Sequence, residues 1–199
     1  MTIPRIVVTG GPGAGKTASI EMARRSLCDH VAFASEAASI VYGGGFPRLQ
    51  GLEVERAAQR AIYHVQHELE ALYDRPDFDV ILCDRGSLDG LAYWPGDPAE
   101  FYLQLGTSHE AELARYALVV HLRPPTDGNG YERKGLRIET AAEAARIDAR
   151  IERAWRGHPR RVFVPHTDDF VTKVGRVLAI VNAELGCAHA GVVHAAGAR

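Results

Sequence analysis

The chain has 199 residues, 46% of them hydrophobic and 24% charged, with a formal net charge of -2 and a pI near 6.5. That length and apolar content are enough for one buried core and ask for no second one, and the near-neutral balance supplies no basic field for nucleic acid or an anionic membrane. No apolar run approaches the roughly 18 residues of a membrane span, and the N-terminus enters a strand-like segment without a signal peptide; Cys28, Cys83 and Cys187 show no metal or redox spacing, so reduced thiols and a cytoplasmic location are expected.

Strand-like runs rich in Val, Ile or Phe fall at 3–9, 31–35, 78–83, 117–122 and 161–164, and helix-forming stretches fall at 16–28, 50–73, 97–114, 139–156 and 168–186. This alternation predicts a parallel sheet covered by helices. Between the first strand and the first helix, Gly10-Gly11-Pro12-Gly13-Ala14-Gly15-Lys16-Thr17 satisfies the whole GxxxxGK(S/T) pattern. Glycines at 10, 13 and 15 let successive amides from Gly11 through Ala14 to Ala18 turn inward on a polyphosphate, and the helix opening at Lys16 adds its positive end. Lys16 is expected on the β- and γ-phosphates and the Thr17 hydroxyl on the Mg²⁺ that bridges them.

The second strand runs directly into Glu36 at the same edge of the sheet. A carboxylate there can accept the proton of a substrate hydroxyl, or serve as a helix N-terminal acid with Ser35 as the cap; the sequence leaves both open. Gly43-Gly44-Gly45-Phe46-Pro47-Arg48 follows, a loop with an aromatic and a cation that suits a substrate lid or a connector between helices. In 54–72, Val54, Ala57, Ala58, Ala61, Ile62, Val65, Leu69 and Leu72 recur at three- and four-residue steps, which predicts a core-facing stripe.

The third strand, Val80-Ile81-Leu82-Cys83, ends in Asp84 and is followed by Arg85. Ligands of open α/β sheets collect at the carboxyl ends of the strands, so Asp84 is expected beside the phosphate loop as the Mg²⁺-side acid. Arg85 either faces the transferred phosphate or pairs with an acidic neighbour. Residues 123–137 are polar, glycine-bearing and cationic toward the end, and read as a lid in which Arg133, Lys134 and Arg137 offset charge on a transferring phosphoryl group. Glu139, Arg146, Asp148, Arg150, Glu152 and Arg153 read as an exposed, ion-paired helix face, and the Ala/Gly/His-rich tail from 187, with His189 and His194, reads as a frayed end.

Taken together, GGPGAGKT, SEAASIVYGGGFPR, ILCDRGSLDGLAYWP, RIETAAEAARIDARIERAW and HPRRVFVPHTDDFVTKV resemble the predicted-ATPase branch of the kinase-like phosphate-loop proteins. That branch carries an AAA domain shared with the bacterial ribosylnicotinamide kinase and a eukaryotic channel-translocation-defect protein. The resemblance reaches to about residue 186 and implies an α/β three-layer P-loop NTPase, one domain over 1–186 with a lid at about 124–138 and a five-stranded parallel sheet in 2-3-1-4-5 order. It also implies nucleotide binding through Gly13, Gly15, Lys16 and Thr17, metal help from Asp84, Glu36 and Arg85 near a phosphoryl acceptor, lid cations closing on ATP, and His166, Thr167, Asp168 and Asp169 bordering the base. The chain is too short for the extra helical domain of hexameric AAA motors. It also lacks an NKxD guanine-reading element, which favours ATP and keeps GTP open.

Two classes of function remain at this level. One is a small-molecule kinase in which Lys16 and Arg137 stabilise the developing charge, Glu36 removes the acceptor proton, and Phe46, Tyr93 and Trp94 wall the cleft. The other is a nucleotide-hydrolysing switch read by a protein or lipid partner. A cavity beside Glu36 is expected of the first and an exposed apolar patch of the second.

Overall fold

The computed structural model describes residues 2–125, 141–167 and 169–185. The expected lid from 126 onward, with Arg133, Lys134 and Arg137, lies outside the described residues, as do Glu139, Asp168, Cys187 and the expected tail with His189 and His194.

Five strands, β1 (Arg5–Thr9), β2 (Val31–Ala34), β3 (Val80–Asp84), β4 (Leu118–Leu122) and β5 (Arg161–Val164), form one sheet in the order β2-β3-β1-β4-β5. Every pairing is parallel, as expected of apolar strands joined through helices. β2, β3 and β4 are buried along their full length, because helices cover both faces; that is why these strands read as continuous apolar runs rather than alternating ones. Each fully buried Val, Leu or Ile among them contributes about 1.5–3 kcal/mol.

Helices α1 (Lys16–Ser26) and α7 (Phe170–Glu184) pack on one face through Ile20, Ala23, Val177 and Val181. The other face carries α6 (Ala141–Ala154) and a 3-10 turn at Ser87–Ala92, through Ile151, Ala154, Leu88 and Ala92, with α3 (Leu52–Leu72) beside them through Leu69. The 3-10 turn is an element the sequence reading lacks, and the short α2 (Ala37–Gly43) is the helix that one of the two readings of Glu36 calls for.

The single helix expected over 97–114 is two, α4 (Pro98–Leu105) and α5 (His109–Ala114). Gly106 ends the first in a left-handed conformation at φ 65, and Ser108 opens the second by accepting the amide of Ala111. Both are ordinary helix stop and start signals.

The stripe expected on α3 is also corrected. Val54, Ala57, Ala61, Ile62, Val65 and Leu69 are only half-buried and Leu72 is exposed, whereas the residues that go in deepest are Ala58, Gln59, Tyr63, Gln66 and Glu70. Apart from Ala58 these carry polar groups at helical spacing: Gln66 bonds Glu70, and Tyr63 donates to Glu112 while its ring packs on Phe101.

Candidate functional site

β1 is the middle strand, and its last residue, Thr9, delivers the chain into the glycine loop. Gly10 has to be glycine, since a Cβ there would stand 2.1 Å from the Leu122 carbonyl oxygen. Gly15 takes φ 87, a left-handed conformation that lets the loop turn straight into α1. Lys16 is buried and folds over its own loop, donating from Nζ to the carbonyls of Gly10 at 2.8 Å and Gly11 at 2.9 Å. Burial and the nearby Arg85 guanidinium lower its pKa, against the pull of Asp84, Asp89 and Glu36.

The register sets Asp84 of β3 opposite Val8 of β1, one residue short of the loop. Its Oδ2 accepts a hydrogen bond from Thr17 Oγ1 at 3.3 Å, while Oδ1 is buried without a partner. Burial and the Glu36 carboxylate raise its pKa to about 6, with Lys16 and Arg85 working the other way. A hydroxyl and a carboxylate side by side, one oxygen still unengaged, fit a hard divalent cation that takes few protein ligands and shares phosphate oxygens.

Arg85 has φ 74, the one positive value among the described non-glycine residues, and its backbone is held from both sides: its N–H donates to Val8 at 3.1 Å and its carbonyl accepts from Gln66 Nε2 at 3.3 Å. Side chains at such strained positions persist only where the surroundings over-determine them. The guanidinium donates from Nε to Glu36 Oε1 at 2.6 Å, reaches Asp89 Oδ2 at 3.4 Å and lies 5.7 Å from the Tyr93 ring. Asp89 in turn accepts from Thr9 Oγ1 at 2.7 Å and Trp155 Nε1 at 2.6 Å.

Glu36 sits at the N-cap position of α2, where its side chain caps no amide. Its Oε2 accepts from Ser39 Oγ at 2.5 Å. Burial opposes its ionisation, but Arg85 and Ser39 outweigh that and hold the carboxyl below the usual range. Of the two roles open to Arg85 in the sequence, the geometry displays the acidic pairing. Ser35 does not occupy the cap.

A cleft of about 450 Å³ opens beside these groups, running from Lys16 past Glu36 and Arg85 to Tyr93 and Arg48, with Gln59 of α3 on its wall. A second cavity of about 300 Å³ lies behind Glu36, lined by Thr17, Asp84 and Arg24. Of the three expected wall aromatics, only Tyr93 lines the larger cleft. Trp94 is buried against Phe101, ring centroids 5.4 Å apart, and Phe46 packs edge-on against Tyr42 at 6.4 Å. Tyr42 and Tyr63 line the cleft instead. Tyr63 donates to Glu112 Oε1 at 2.6 Å, and the same carboxylate accepts from Ser87 Oγ at 2.6 Å and Thr107 Oγ1 at 2.7 Å. The sequence signal for this wall was the spacing Gln59, Tyr63, Gln66, Glu70, a buried polar line on a helix otherwise read by its alanines and leucines.

Asp148 is the clearest departure from the sequence reading. Far from an exposed ion-paired face, it is buried and accepts the Gly11 amide at 2.7 Å and Arg123 Nη1 at 2.9 Å, with His121 Nε2 at 2.9 Å. Arg146, Arg150 and Arg153 are exposed as expected, and Glu152 pairs with Arg123 at 2.6 Å. Among the described residues near the expected base region, Asp169 caps α7 by accepting from Val171 and Thr172, and Phe170 approaches the phosphate loop, 3.8 Å from where a Cβ would stand on Gly15.

The architecture and the sequence both have counterparts among known proteins. A family model described as an AAA domain matches residues 5–171. NadR in complex with NR superposes with a TM-score of 0.71 at 18% identity over 93% of this chain and 52% of that one. NadR in complex with NAD and AMP-PNP gives 0.66 at 17% identity over 93% and 50%. Shikimate kinase from Acinetobacter baumannii in complex with shikimate gives 0.51 at 18% identity over 92% and 94%. The chain thus spans about half the length of the NadR chains it matches. No curated protein matches its sequence.

Proposed function

The chain belongs to the AAA-domain family and has the fold of a kinase-like P-loop NTPase, and from that premise we propose that it binds ATP and transfers the γ-phosphoryl group to a hydroxyl of a small molecule. The observation that carries this reading is the cleft of about 450 Å³ that joins Lys16 to the Glu36–Arg85 pair. A hydrolysing switch needs room for its nucleotide, whereas this cleft runs on from the phosphate loop to Arg48, Gln59 and Tyr93. The solved relatives fit the same reading: NadR is seen with NR and with AMP-PNP, and shikimate kinase with shikimate.

In this reading residues 1–186 are one catalytic unit, with the amides of Gly13, Ala14, Gly15 and Ala18 turned on the phosphates, while the Gly11 amide, expected there from the sequence, is committed to Asp148 and anchors the loop instead. Lys16 exchanges its two loop carbonyls for phosphate oxygens, and Arg133 and Arg137 close from the lid. Thr17 and Asp84 would hold Mg²⁺, which would supply positive charge against the developing charge of the transferred phosphoryl group. The bond from the γ-phosphorus to its bridging oxygen breaks as a bond to the acceptor hydroxyl oxygen forms. Glu36, kept ionised by Arg85, orients that hydroxyl and takes its proton; the loose transition state asks more for placement than for a strong base. ADP and the phosphorylated acceptor leave.

The test is acceptor-stimulated ADP release across nucleosides, vitamins and sugars, together with two variants. Lys16→Ala should lose the thermal stabilisation that ATP and Mg²⁺ give while keeping its far-ultraviolet circular dichroism. Glu36→Gln should lower stimulated turnover by about 10² or more with nucleotide-induced stabilisation retained. Stabilisation undiminished in Lys16→Ala, or stimulated turnover undiminished in Glu36→Gln, overturns the corresponding assignment.

A further inference from the structure

Most polar groups in the cleft already have partners. Lys16 is held by two carbonyls, Arg85 by two carboxylates, Asp89 by Thr9 and Trp155 as well, and Gln66 by Glu70 and the Arg85 carbonyl. Among the described residues two cleft groups stand apart. Gln59, a residue only 8% exposed, lines the cleft, and its carboxamide makes no hydrogen bond to the described residues. Arg48, at the rim, faces no carboxylate; its guanidinium lies 4.0 Å from the centroid of the Tyr42 ring, itself part of the lining.

These two groups have a chemical signature. A primary amide on a cleft wall with no protein partner keeps two donors and an acceptor for whatever enters the cleft. A guanidinium stacked on an aromatic ring keeps its in-plane N–H groups for an oxyanion, which it can bind in bidentate fashion. Because Arg85 is neutralised by Glu36 and Asp89, and Lys16 belongs to the phosphates, Arg48 is, among the described residues that line the cleft, the cation left for the acceptor.

Resting on the reading of this cleft as the acceptor site, we propose that the acceptor is an anion: its carboxylate or phosphate lies against Arg48, a polar group exchanges hydrogen bonds with Gln59, and its hydroxyl meets Glu36. Arg48 and Gln59 are then specificity-determining residues that select a hydroxylated oxyanion over a neutral or cationic compound of the same shape.

The experiment uses the full chain saturated with ADP and Mg²⁺, titrated calorimetrically with two arms of probes. The carboxylate arm is shikimate, quinate and gluconate against their methyl esters; the phosphate arm is ribose 5-phosphate and glycerol 3-phosphate against ribose and glycerol. An anion of one arm should bind at least tenfold more tightly than its neutral counterpart, and the responding arm identifies the group. Arg48→Gln should erase that preference, whereas Gln59→Leu should weaken both members of a pair and leave their ratio intact. If no anion in either arm is preferred, or if the preference survives in Arg48→Gln, the inference is overturned. The same compounds are then tested with ATP for ADP release. Arg48-dependent anion binding without stimulated release keeps the anion site and defeats phosphoryl transfer. Release stimulated by a neutral compound, with KM unchanged in Arg48→Gln, does the reverse.

Discussion

The two faces of the sheet are built on different principles. On the α1 and α7 side the buried cluster is aliphatic apart from Phe33, with Ile6, Val8, Leu82 and Val120 from the sheet meeting Ile20 and Val177 from the helices. On the opposite side, Val7, Ile81 and Val119 meet Leu88, Ile151 and Trp155, but the same layer also buries Glu70, Asp89, Glu112 and Asp148. Each of these carboxylates collects several donors. Glu70 takes Gln66 at 2.9 Å, Tyr116 at 2.7 Å and Arg115 at 2.5 Å. The first face is held by area removed from water, which is non-directional and tolerant. The second is held by directional bonds that fix where Arg85, Ser87, Tyr63 and the Gly11 amide stand, and it is the face on which the cleft opens.

That contrast can be broken most forcefully at Glu112. Glu112→Ala leaves the hydroxyls of Tyr63, Ser87 and Thr107 without their shared acceptor, and should cost about 3–5 kcal/mol in urea unfolding; a loss below about 1 kcal/mol would mean that this polar layer is not what holds the face together.

Acid should act on the same group. Burial works against the Glu112 carboxylate, but hydrogen bonds from His67, Ser87, Tyr63 and Thr107 outweigh it and pull the pKa down to about 2. A carboxyl depressed by folding contributes stability that is complete above its unfolded pKa, about 4.3, and is lost as pH falls from there toward the folded value. Unfolding midpoints measured across that window should fall in the parent protein, and the Glu112 share of the fall should vanish in Glu112→Gln. Identical slopes in the two proteins would remove Glu112 from the account.

The apolar face should respond more mildly and without regard to pH. Val177→Ala removes buried methyl groups from α7 and should cost roughly 2 kcal/mol, by an equal amount at neutral pH and in acid. A loss that varied with pH would show that the two faces are not mechanically separate.

How far each part was legible follows from the range of the signal that encodes it. The strands were visible because continuous apolar runs mark strands buried on both sides, and the glycine loop because its geometry depends on adjacent residues. The break in the helix over 97–114 is written locally too, in Gly106 and Ser108, and the helix-forming residues on either side mask it. The α3 stripe failed for another reason: apolar spacing identifies the core face only when the helix packs on apolar core, and the deepest face of α3 meets a polar network. Asp148 failed likewise, since its charged neighbours Arg146, Arg150 and Glu152 share its helix and disguise its burial.

The sequence by itself determined the parallel α/β sheet, the glycine loop with Lys16 and Thr17, and the arrival of Asp84 and Glu36 at one edge, because each depends on residues close together along the chain. Only the tertiary structure decided that Arg85 is clamped by Glu36, 49 residues away, and that the Gly11 amide is held by Asp148, 137 residues away. Local spacing carries no information about partners that distant. A buried charge settles on whichever donors the folded layers bring within about 3 Å, and that choice is made by packing.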